Sequence, residues 1–306
     1  MMTLGVDIGG SHLSCALVDN QTNELIAKSI ARKHYDHTLE TNALLSIWAT
    51  AIEAALAHLP NDATLSGIGF AMPGPFDYTN GISKMEHKLV SLYEKHLPTA
   101  LNECLKSAKS IDMRFNNDAS SFAIGEAFKG LGHTKKRMVV ITLGTGFGAA
   151  FLEDKLPIVD RSDVPPEGCL WHLPFAEGIA DDYFSTRWFV KEYESLTKEK
   201  IAGVKNLLEK DAAVVQAIFA RFTDNLSNFL APHLENFKAE ILVIGGNISK
   251  ALDHFKTPLL ANLQQQNINI EIAPSTLLED AAIIGSAQLF NPQYWSRISK
   301  VLPKLL

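Results

Sequence analysis

A glycine-rich hairpin near the start of the chain constrains the fold more than any other feature. Residues 4–19 alternate apolar and other side chains on both sides of the turn Gly9-Gly10-Ser11-His12, which predicts strand, tight turn and strand. Glycine removes the Cβ that would hold a ligand away from the backbone, and free N–H groups in such a turn bind anions. Asp7 precedes the turn, where a carboxylate can hold magnesium through water. An ordinary structural hairpin explains the same residues, so both interpretations stay open.

A second copy of this hairpin lies at residues 139–154. It aligns with residues 4–19 without a gap, so that Gly144 falls on Gly9. Two hairpins of one design indicate a duplicated domain, in which each copy offers its turn to a cleft between them. Such turns suit a nucleoside triphosphate. Neither opens directly into a helix as the dinucleotide motif Gly-x-Gly-x-x-Gly does, and the chain has no Gly-x-x-x-x-Gly-Lys-Ser/Thr.

Composition narrows the class of protein. The 306 residues suffice for two domains of ordinary size, and 46% hydrophobic residues predict packed cores. A net charge of −6 offers no basic surface for nucleic acid. Cys15, Cys104 and Cys169 are too few and too far apart for a disulfide framework or a closed zinc site. With no signal-peptide pattern and no apolar run of about 18 residues, we expect a cytoplasmic protein without membrane contact.

The remaining pattern alternates strands and helices, as in an α/β fold. After the first hairpin we expect a third antiparallel strand at residues 24–31. A strand at 110–115 precedes a helix at 121–129. Apolar residues at helical spacing predict two further helices at 179–194 and 212–230.

Several strand ends carry residues suited to a site. Pro73-Gly74-Pro75 is a stiff loop after a strand, and Asn117-Asp118 lies between a strand and a helix. Gly245-Gly246-Asn247 joins a strand to a helix, where backbone approaches a ligand closely. Structural alternatives are a rigid turn for the prolines and a helix N-cap for Asp118. Small residues in a helix at 280–289 allow a purine to lie against it or, alternatively, close helix packing.

The stretch at residues 157–177 is the least regular part of the chain. It contains three prolines together with Cys169, Trp171 and His172. A region of this length is either a substrate loop or a peripheral excursion. A lone histidine such as His172 is more often structural than catalytic, so the pattern alone leaves its role open.

Seven short motifs occur in a fixed order along nearly the whole chain, and together they resemble the ROK family (repressors, open reading frames and sugar kinases). The motifs are Asp7-Ile8-Gly9-Gly10-Ser11, Pro73-Gly74-Pro75, Asn117-Asp118-Ala119, Gly125-Glu126, Gly144-Thr145-Gly146-Phe147-Gly148, Gly245-Gly246-Asn247-Ile248-Ser249 and Ala281-Ala282-Ile283-Ile284-Gly285. The resemblance implies an α/β fold of two actin-like ATPase (ribonuclease-H-like) domains with a cleft between them. We assign residues 1–117 to the first domain and 118–291 to the second, with a C-terminal helix near 292–306 packing back on the first.

The resemblance also implies roles for individual residues. Asp7 matches the family aspartate near magnesium. Asn117 and Asp118 match the sugar-contacting pair in which the aspartate is the catalytic base, and Gly74 belongs to a substrate-binding loop. The residues implied to bind ATP are Gly9, Gly10, Ser11 and His12 in the first phosphate turn, Gly144, Thr145 and Gly146 in the second, and Gly245, Gly246, Asn247 and Gly285 on the adenosine side.

The chain departs from the family in the parts implied to recognise the sugar. The family has Glu-x-Gly-His followed by zinc-binding cysteines, whereas residues 167–172 read Glu-Gly-Cys-Leu-Trp-His. His172 aligns with the family histidine, but Cys169 then takes the place of the glutamate, and Glu167 reaches it only with a register shift. Residues 85–88 stand where the family has Asn-Leu before a tryptophan.

We interpret Glu167 and His172 as substrate-binding residues, with the pair Asp181-Asp182 as another source of the carboxylate. Because the zinc cysteines are absent, we expect no zinc site and a loop that is held by packing instead. The apolar residues available to anchor it are Trp171, Leu173, Pro174, Phe175 and Tyr183.

The resemblance implies an ATP-dependent sugar kinase that transfers the γ-phosphoryl group to a hydroxyl of a hexose or related sugar, with Mg²⁺ as cofactor. The alternative is a catalytically silent sugar- or nucleotide-binding protein of the same fold. The retained Asp118 favours the enzyme. The altered sequence of residues 157–177, which we call the sugar loop, favours the alternative. A DNA-binding regulator is disfavoured by the acidic charge and by the lack of a helix-turn-helix before Leu4. We expect a homodimer, no nucleic-acid partner, and a best substrate other than glucose.

Overall fold

The structure is a computed structural model in which residues 1–106 and 110–304 are described. Its strands are β1 (Met2–Ile8), β2 (His12–Asp19), β3 (Ala31–His34), β4 (Leu65–Met72), β5 (Phe76–Asp77), β6 (Ile82–Ser83), β7 (Met113–Asn117), β8 (Arg137–Leu143), β9 (Phe147–Glu153), β10 (Leu156–Pro157), β11 (Pro174–Phe175), β12 (Gly178–Ile179), β13 (Ile241–Gly245) and β14 (Glu271–Pro274). Its α-helices are α1 (Thr41–Leu56), α2 (Leu97–Cys104), α3 (Asp118–Phe128), α4 (Ala180–Tyr183), α5 (Thr186–Thr197), α6 (Val204–Leu207), α7 (Ala212–Phe237), α8 (Lys256–Gln265), α9 (Asp280–Ala287) and α10 (Pro292–Ile298). Short 3-10 helices lie at Ala27–Ser29, Val90–Leu92, Leu131–Thr134, Pro166–Gly168, Asn247–His254 and Gln288–Phe290.

The first of two compact units contains the described residues of Met1–His133, Lys155–Pro157 and Glu279–Leu306. Its sheet has the strand order β3-β2-β1-β4-β7. The hairpin β1–β2 is antiparallel, and β4 and β7 continue the sheet parallel to β1. The carboxyl ends of β1, β4 and β7 therefore meet at one edge, where ligand sites form in sheets of this kind.

The second unit contains Thr134–Asp154 and Ile158–Leu278. Here β9, β8, β13 and β14 are hydrogen bonded in that order, with β8–β9 an antiparallel hairpin and β13 and β14 parallel to β8. This repeats the arrangement of β2, β1, β4 and β7. The two predicted hairpins and the α/β class are confirmed.

The third antiparallel strand begins later than predicted. Within residues 24–31, Leu25 forms an isolated β-bridge with Val18 of β2, and Ala27–Ser29 form a 3-10 helix. Strand β3 starts only at Ala31. The prediction of a strand over 24–31 is wrong because a side chain replaces a strand partner there. The Ser29 hydroxyl accepts a hydrogen bond from Leu17 N at 2.8 Å, and this bond takes the place of a backbone ladder bond.

Other predicted elements also differ in their bounds, among them the helix expected at 121–129, which is α3 and begins already at Asp118. The strand expected at 110–115 is β7, which starts at Met113 and continues to Asn117. The helix expected at 179–194 is two helices, α4 and α5, and the long helix expected at 212–230 continues to Phe237. Phe184 and Ser185, which separate α4 from α5, are fully buried, so that packing of this junction overrides the helical pattern.

Helix α9 packs closely against the first sheet and against α3, and small residues form these contacts. A Cβ at Gly285 would lie 1.8 Å from Ser121 O, and one at Gly125 would lie 1.9 Å from Ala281 O. At Gly69 in β4, a Cβ would lie 2.0 Å from Ser286 O. Close packing of the two helices is therefore sufficient reason for the small residues of α9. The predicted contact of Gly285 with a purine stays a prediction.

The same packing places α3 and α9 in the first unit. The first unit extends to His133 and resumes at Lys155–Pro157 and at Glu279, whereas the predicted domain boundary lies between residues 117 and 118. The assignment of two separate domains stays a prediction. Helix α10 also belongs to the first unit, where the Tyr294 hydroxyl donates to Lys155 O at 2.8 Å. Residues 305 and 306 of the helix predicted near 292–306 lie outside the described residues.

Aromatic side chains dominate the core of the second unit. The Phe184 ring centroid lies 5.2 Å from that of Phe147, at the start of β9, and 5.1 Å from that of Phe229 in α7. Burying each such ring stabilises the fold by roughly 2 to 3 kcal/mol. This cluster fixes the junction of α4 and α5 beside the β8–β9 hairpin. Within the described residues, no helix has both the length and the apolar character that crossing a membrane requires.

Candidate active site

Carboxyl groups gather at the edge of the first sheet where its parallel strands end. Asp7 pairs with Ala71 of β4, which in turn pairs with Asn116 of β7, so that Asp7 and Asp118 lie at the same edge. Burial, together with the nearby carboxylates of Asp118 and Glu279, raises the pKa of Asp7 to about 7. A carboxylate in such a negative environment is suited to bind a cation.

Asn117, rather than Asp118, caps helix α3. The Asn117 side-chain oxygen accepts a hydrogen bond from Ser120 N at 3.1 Å, and its amide donates to Asp118 Oδ1 at 3.0 Å. The alternative interpretation of Asp118 as the N-cap is therefore wrong, because α3 already includes Asp118. Asp118 Oδ1 also accepts from Ala119 N at 2.9 Å.

Lys88 influences Asp118, although the sequence analysis did not single it out. Burial raises the pKa of Asp118, and the positive charge of Lys88 opposes that increase. Lys88 is half-buried and is the last residue of the segment at 85–88 that departs from the family pattern. That departure was the only signal for it, because a single lysine in a loop is otherwise indistinguishable from a solvated surface charge.

The proline loop lies between Asp7 and Asp118 in the sheet order. Gly74 is half-buried in this loop, and the Gly74–Pro75 peptide bond is cis. The Tyr78 hydroxyl donates to Met72 O at 3.1 Å and accepts from Asn117 Nδ2 at 3.3 Å. Tyr78 thus connects the loop that follows β4 with the residue that caps α3, a link that sequence spacing does not reveal.

The first glycine turn is closed by a backbone hydrogen bond between its first and last residues and leaves other backbone N–H groups exposed. Gly9 N donates to His12 O at 2.8 Å, and the Tyr35 hydroxyl donates to Gly9 O. In the part of the chain that the structure describes, the N–H groups of Gly10 and Ser11 have no acceptor, and both residues are exposed. Among the described residues other than its two chain neighbours, no atom lies within 4 Å of a Cβ built on Gly10, which leaves room for a ligand at the backbone.

Neither glycine of this turn uses a positive φ. A Cβ on Gly9 would lie 2.7 Å from the His12 ring, so a larger residue there would require the imidazole to move.

The second glycine turn is one residue shorter than the first, with three residues between its last strand pair, Leu143 and Phe147, against four between Ile8 and Leu13. Gly144 N donates to Gly146 O at 3.0 Å, and Leu143 pairs with Phe147 across the hairpin. In the described part of the chain, and apart from its own chain neighbours, Gly144 has no atom within 4 Å of a Cβ built on it, as for Gly10. Thr145 and Gly146 are exposed, and their N–H groups find no acceptor among residues 1–106 and 110–304.

The junction after β13 lies beside the second turn. Gly245 pairs with Thr142 of β8, and a Cβ on Gly246, whose φ is +79°, would lie 2.3 Å from Leu143 O. Gly246 is therefore required by close approach to the strand that leads into the turn. Asn247 is exposed, and its Oδ1 accepts from Lys250 Nζ at 3.1 Å. The structure thus brings together two of the predicted donor-binding segments within the second unit.

The predicted sugar loop brings Cys169 and His172 together. The Cys169 Sγ and His172 Nδ1 atoms are 3.3 Å apart, and Glu167 is half-buried with φ of 59°. Burial and the Glu167 charge raise the pKa of the Cys169 thiol to about 12, so this thiol stays protonated at neutral pH. Cys169 is therefore a packed neutral group beside His172, and Glu167 remains the predicted carboxylate.

Asp181 and Asp182 are used within the fold. Asp181 Oδ1 accepts from Phe147 N at 2.7 Å and its other oxygen pairs with Arg187, while Asp182 Oδ2 accepts from Ile179 N at 3.2 Å. Both oxygens of Asp181 are engaged within the fold, whereas Asp182 is exposed, so the expectation that this pair supplies a sugar-binding carboxylate stays a prediction.

Only some of the predicted anchors hold the sugar loop. Leu173, Phe175 and Tyr183 pack against the core of the second unit, whereas Trp171 is 42% exposed and Pro174 is exposed. The prediction is therefore wrong for Trp171 and Pro174. In the described ranges, no three His, Cys, Asp or Glu side chains are grouped so that they could hold a metal ion. The absence of zinc stays a prediction.

Two units, each with a mixed sheet that begins in a β-hairpin and exposes a glycine turn, define an actin-like ATPase fold. The family model described as "ROK family" matches residues 3–293. The chain belongs to the ROK family.

Individual relatives agree with this assignment. A glucokinase of Thermotoga maritima is 27% identical over 322 residues, covering 94% of this chain and 96% of the relative. An N-acetyl-D-glucosamine kinase of Pectobacterium carotovorum is 25% identical over 274 residues, covering 81% of this chain and 84% of the relative. The crystal structure of a ROK family glucokinase from Streptomyces griseus in complex with glucose and AMPPNP superposes with a TM-score of 0.74 at 18% identity, covering 94% of this chain and 99% of that one.

Proposed function

We propose that this protein is an ATP-dependent sugar kinase in which Asp118 is the general base. The single observation that carries the proposal is the position of Asp118. It is a carboxylate with a raised pKa, placed directly after β7 at the sheet edge that also presents Asp7 and the first glycine turn. The family and its kinase relatives support the same reaction class.

The chemistry needs little covalent participation by the protein. A sugar hydroxyl is a poor nucleophile, and a carboxylate that accepts its proton assists attack on the γ-phosphorus. A base with a pKa above the ordinary range of aspartate is better matched to this task near neutral pH. The Asn117 amide donates to Asp118 at 3.0 Å and thereby holds the carboxylate in one orientation.

The first unit also supplies the features expected of a phosphate and magnesium site. The exposed N–H groups of Gly10 and Ser11 suit phosphate oxygens, with His12 beside them. Mg²⁺ commonly binds through one or two carboxylates together with phosphate oxygens and water, and Asp7 in its negative environment fits that donor set. Bound magnesium would neutralise phosphate charge during transfer.

The second unit supplies the remaining predicted donor contacts. We propose that Gly144, Thr145 and Gly146 bind phosphate through the second turn, and that Gly245, Gly246 and Asn247 lie on the adenosine side. The support is the shared design of the two turns and the approach of Gly246 to Leu143 O. With Mg²⁺, these contacts complete the proposed ATP site.

The acceptor is proposed to be a hexose or an N-acetylhexosamine. The relatives include a glucokinase and an N-acetyl-D-glucosamine kinase, and Gly74, Asn117, Glu167 and His172 are the proposed substrate-binding residues. Because the loop around His172 is built with Cys169 and Trp171 rather than the family pattern, we expect a pocket of different shape and a best substrate other than glucose.

A coupled assay of ADP release, run over a panel of hexoses and N-acetylhexosamines, tests the proposal. Sugar-dependent ADP release by the wild type, lost in Asp118→Asn, is the expected result. If the protein binds sugar and AMPPNP in calorimetry but releases no ADP with any sugar, it is the catalytically silent binder instead. A clear preference for glucose would contradict the specificity expectation alone. Light scattering at several protein concentrations tests the predicted homodimer.

A further inference from the structure

Both glycine turns are held at the same point, the carbonyl of their first residue. In the first turn, Gly9 O accepts the Tyr35 hydroxyl. In the second, Gly144 O accepts two hydrogen bonds from Thr186, one from its hydroxyl and one from its backbone N–H, each at 2.8 Å. Thr186 begins α5, so the start of that helix fixes one end of the second turn.

The other end of the second turn is held by a charged group. Phe147 N donates to Asp181 Oδ1 at 2.7 Å, and Arg187 pairs with the second oxygen of the same carboxylate. A Cβ on Gly146 would lie 3.1 Å from Asp181 Oδ1. The short segment from α4 to α5 thus provides an acceptor for one end of the turn and donors for the other.

Fixing both ends leaves the two middle N–H groups, those of Thr145 and Gly146, exposed. Donors held in place before binding add more affinity than donors that must be ordered by the ligand, because less entropy is lost on binding. A carboxylate next to a phosphate site would by itself repel the ligand. The Arg187 guanidinium offsets that repulsion, and its 55% exposed side chain keeps it within reach of solvent ions.

We propose that Asp181 and Thr186 are positioning residues of the second turn, and that Arg187 balances the charge of Asp181 so that an anionic ligand is tolerated there. The inference rests on the proposed function, since it takes the turn to be a phosphate site. It assigns to the α4–α5 segment a role in nucleotide affinity that sequence motifs did not indicate.

Calorimetric titration of AMPPNP into matched variants tests the proposal. Asp181→Ala removes the acceptor for Phe147 N, and we expect about tenfold weaker binding. Asp181→Asn keeps an oxygen acceptor and should recover most of this loss. Asp211→Ala is the control, because Asp211 also accepts backbone N–H groups, from Ala213 at 3.0 Å and Val214 at 3.3 Å, but at the start of α7. It should lower the melting temperature without changing AMPPNP affinity.

A charge-removal test separates positioning from general stability. Arg187→Gln leaves the Asp181 charge unbalanced, so AMPPNP should bind several-fold more weakly, and the loss should shrink as salt screens the carboxylate. Adding Asp181→Asn to Arg187→Gln should restore affinity. Thr186→Val should weaken binding while Thr186→Ser, which keeps the hydroxyl, should not. Unchanged affinity in a folded Asp181→Ala variant, or an equal loss in Asp211→Ala, overturns the proposal.

Hydrogen exchange distinguishes failure of this inference from failure of the proposed function. If the wild type binds no nucleotide, the proposed function fails, and so does the role of the turn in affinity. The positioning of the turn is then decided by amide exchange at Phe147, which should accelerate at least tenfold in Asp181→Ala and remain slow in Asp211→Ala. Equal exchange in both variants shows that Asp181 does not hold the turn.

Discussion

The Asn117 amide donates a hydrogen bond of 3.0 Å to Asp118 Oδ1, while the Asn117 oxygen caps helix α3. The cap and the candidate base are therefore neighbouring but different side chains. Because the helix start does not depend on the Asp118 carboxylate as its N-cap, chemistry and stability can be perturbed separately at this site.

Replacing Asp118 by asparagine tests the base. The substitution keeps the size of the side chain and an oxygen for Ala119 N but removes the proton acceptor, so kcat should fall roughly 10²-fold or more. The melting temperature should change little, since Asn117 still caps α3. Steady-state kinetics and a thermal melt provide both values.

Asn117→Ala tests the cap, and because the Asn117 amide also orients Asp118, its turnover should fall as well. Loss of the cap should destabilise the protein by about 1 kcal/mol, visible as a lower melting temperature. Near wild-type turnover in Asp118→Asn would show that Asp118 is not the base. A large drop in its melting temperature would show that its carboxylate supports the fold.

Lys88 should set the acidic limit of activity. The base must be deprotonated, so kcat/KM falls as the pH falls through the pKa of Asp118. The Lys88 charge lowers that pKa, and Lys88→Met should therefore raise it, so that activity is lost at a higher pH than in the wild type. The pH profile of kcat/KM is the measurement.

Lys84→Met serves as the control for Lys88. Lys84 pairs with Glu94 at 2.8 Å, and it is not among the groups that shift the pKa of Asp118. Its removal should leave the acidic limb in place. Identical acidic limbs for wild type and Lys88→Met would rule out the proposed influence of Lys88.

Gly10→Val should weaken nucleotide binding without unfolding the protein. The space around Gly10 is open and its φ is not positive, so a larger side chain fits the folded state. It would, however, occupy the space beside the exposed N–H groups of the first turn. Calorimetry with ATP should show reduced affinity, and unchanged affinity in a folded variant would remove this turn from the site.

Gly285→Ala, unlike Gly10→Val, should strongly destabilise the protein. A Cβ there would lie 1.8 Å from Ser121 O, which requires α3 and α9 to move apart. We expect a loss of several kcal/mol or failure to fold. A normal melting temperature for Gly285→Ala would contradict the close packing of α9 described above.

The sugar loop should depend on packing rather than on metal. The Phe175 ring lies 5.1 Å from Tyr183, 5.2 Å from Phe184 and 5.5 Å from Phe229, so Phe175→Ala should destabilise the protein by about 3 kcal/mol. Trp171→Ala, at a side chain that is 42% exposed, should cost less than about 1 kcal/mol. Chemical denaturation measures both differences.

We also predict that chelators do not lower the stability of the sugar loop. If packing holds it, the melting temperature should be unchanged by chelator, and metal analysis should find no stoichiometric zinc. About one zinc per chain, or a clear destabilisation by chelator, would show that a metal contributes to the loop after all.

Local sequence patterns identified the turns because their chemistry is local. Alternating side chains around Gly9 and Gly144 indicate hairpins wherever the rest of the chain goes, and the equal spacing of the two copies indicates a repeat. Side-chain periodicity is a less reliable guide to the bounds of strands and helices where side-chain contacts compete with backbone hydrogen bonding. The Ser29 hydroxyl replaced a strand partner, and the buried Phe184 and Ser185 interrupted a helix that its periodicity had predicted to be continuous.

The glycines show how far residue type alone can be interpreted. Gly10, Gly246 and Gly285 all appeared in motifs implied to contact nucleotide. In the structure Gly10 has open space, Gly246 approaches Leu143 O, and Gly285 packs against Ser121 O. A sequence records that a side chain is absent, but whether a ligand or another backbone occupies the space depends on contacts between distant segments.

The sequence by itself determined the α/β class, the duplicated hairpins and the candidacy of Asp118, because these depend on periodicity and on residue type within a few positions. Only the tertiary structure decided that Asn117 is the cap, that Lys88 acts on Asp118, and that Asp181 and Thr186 hold the second turn. Those relationships join residues up to 42 positions apart, as Thr186 and Gly144 are, and hydrogen bonds and charge interactions depend on distance in space rather than along the chain.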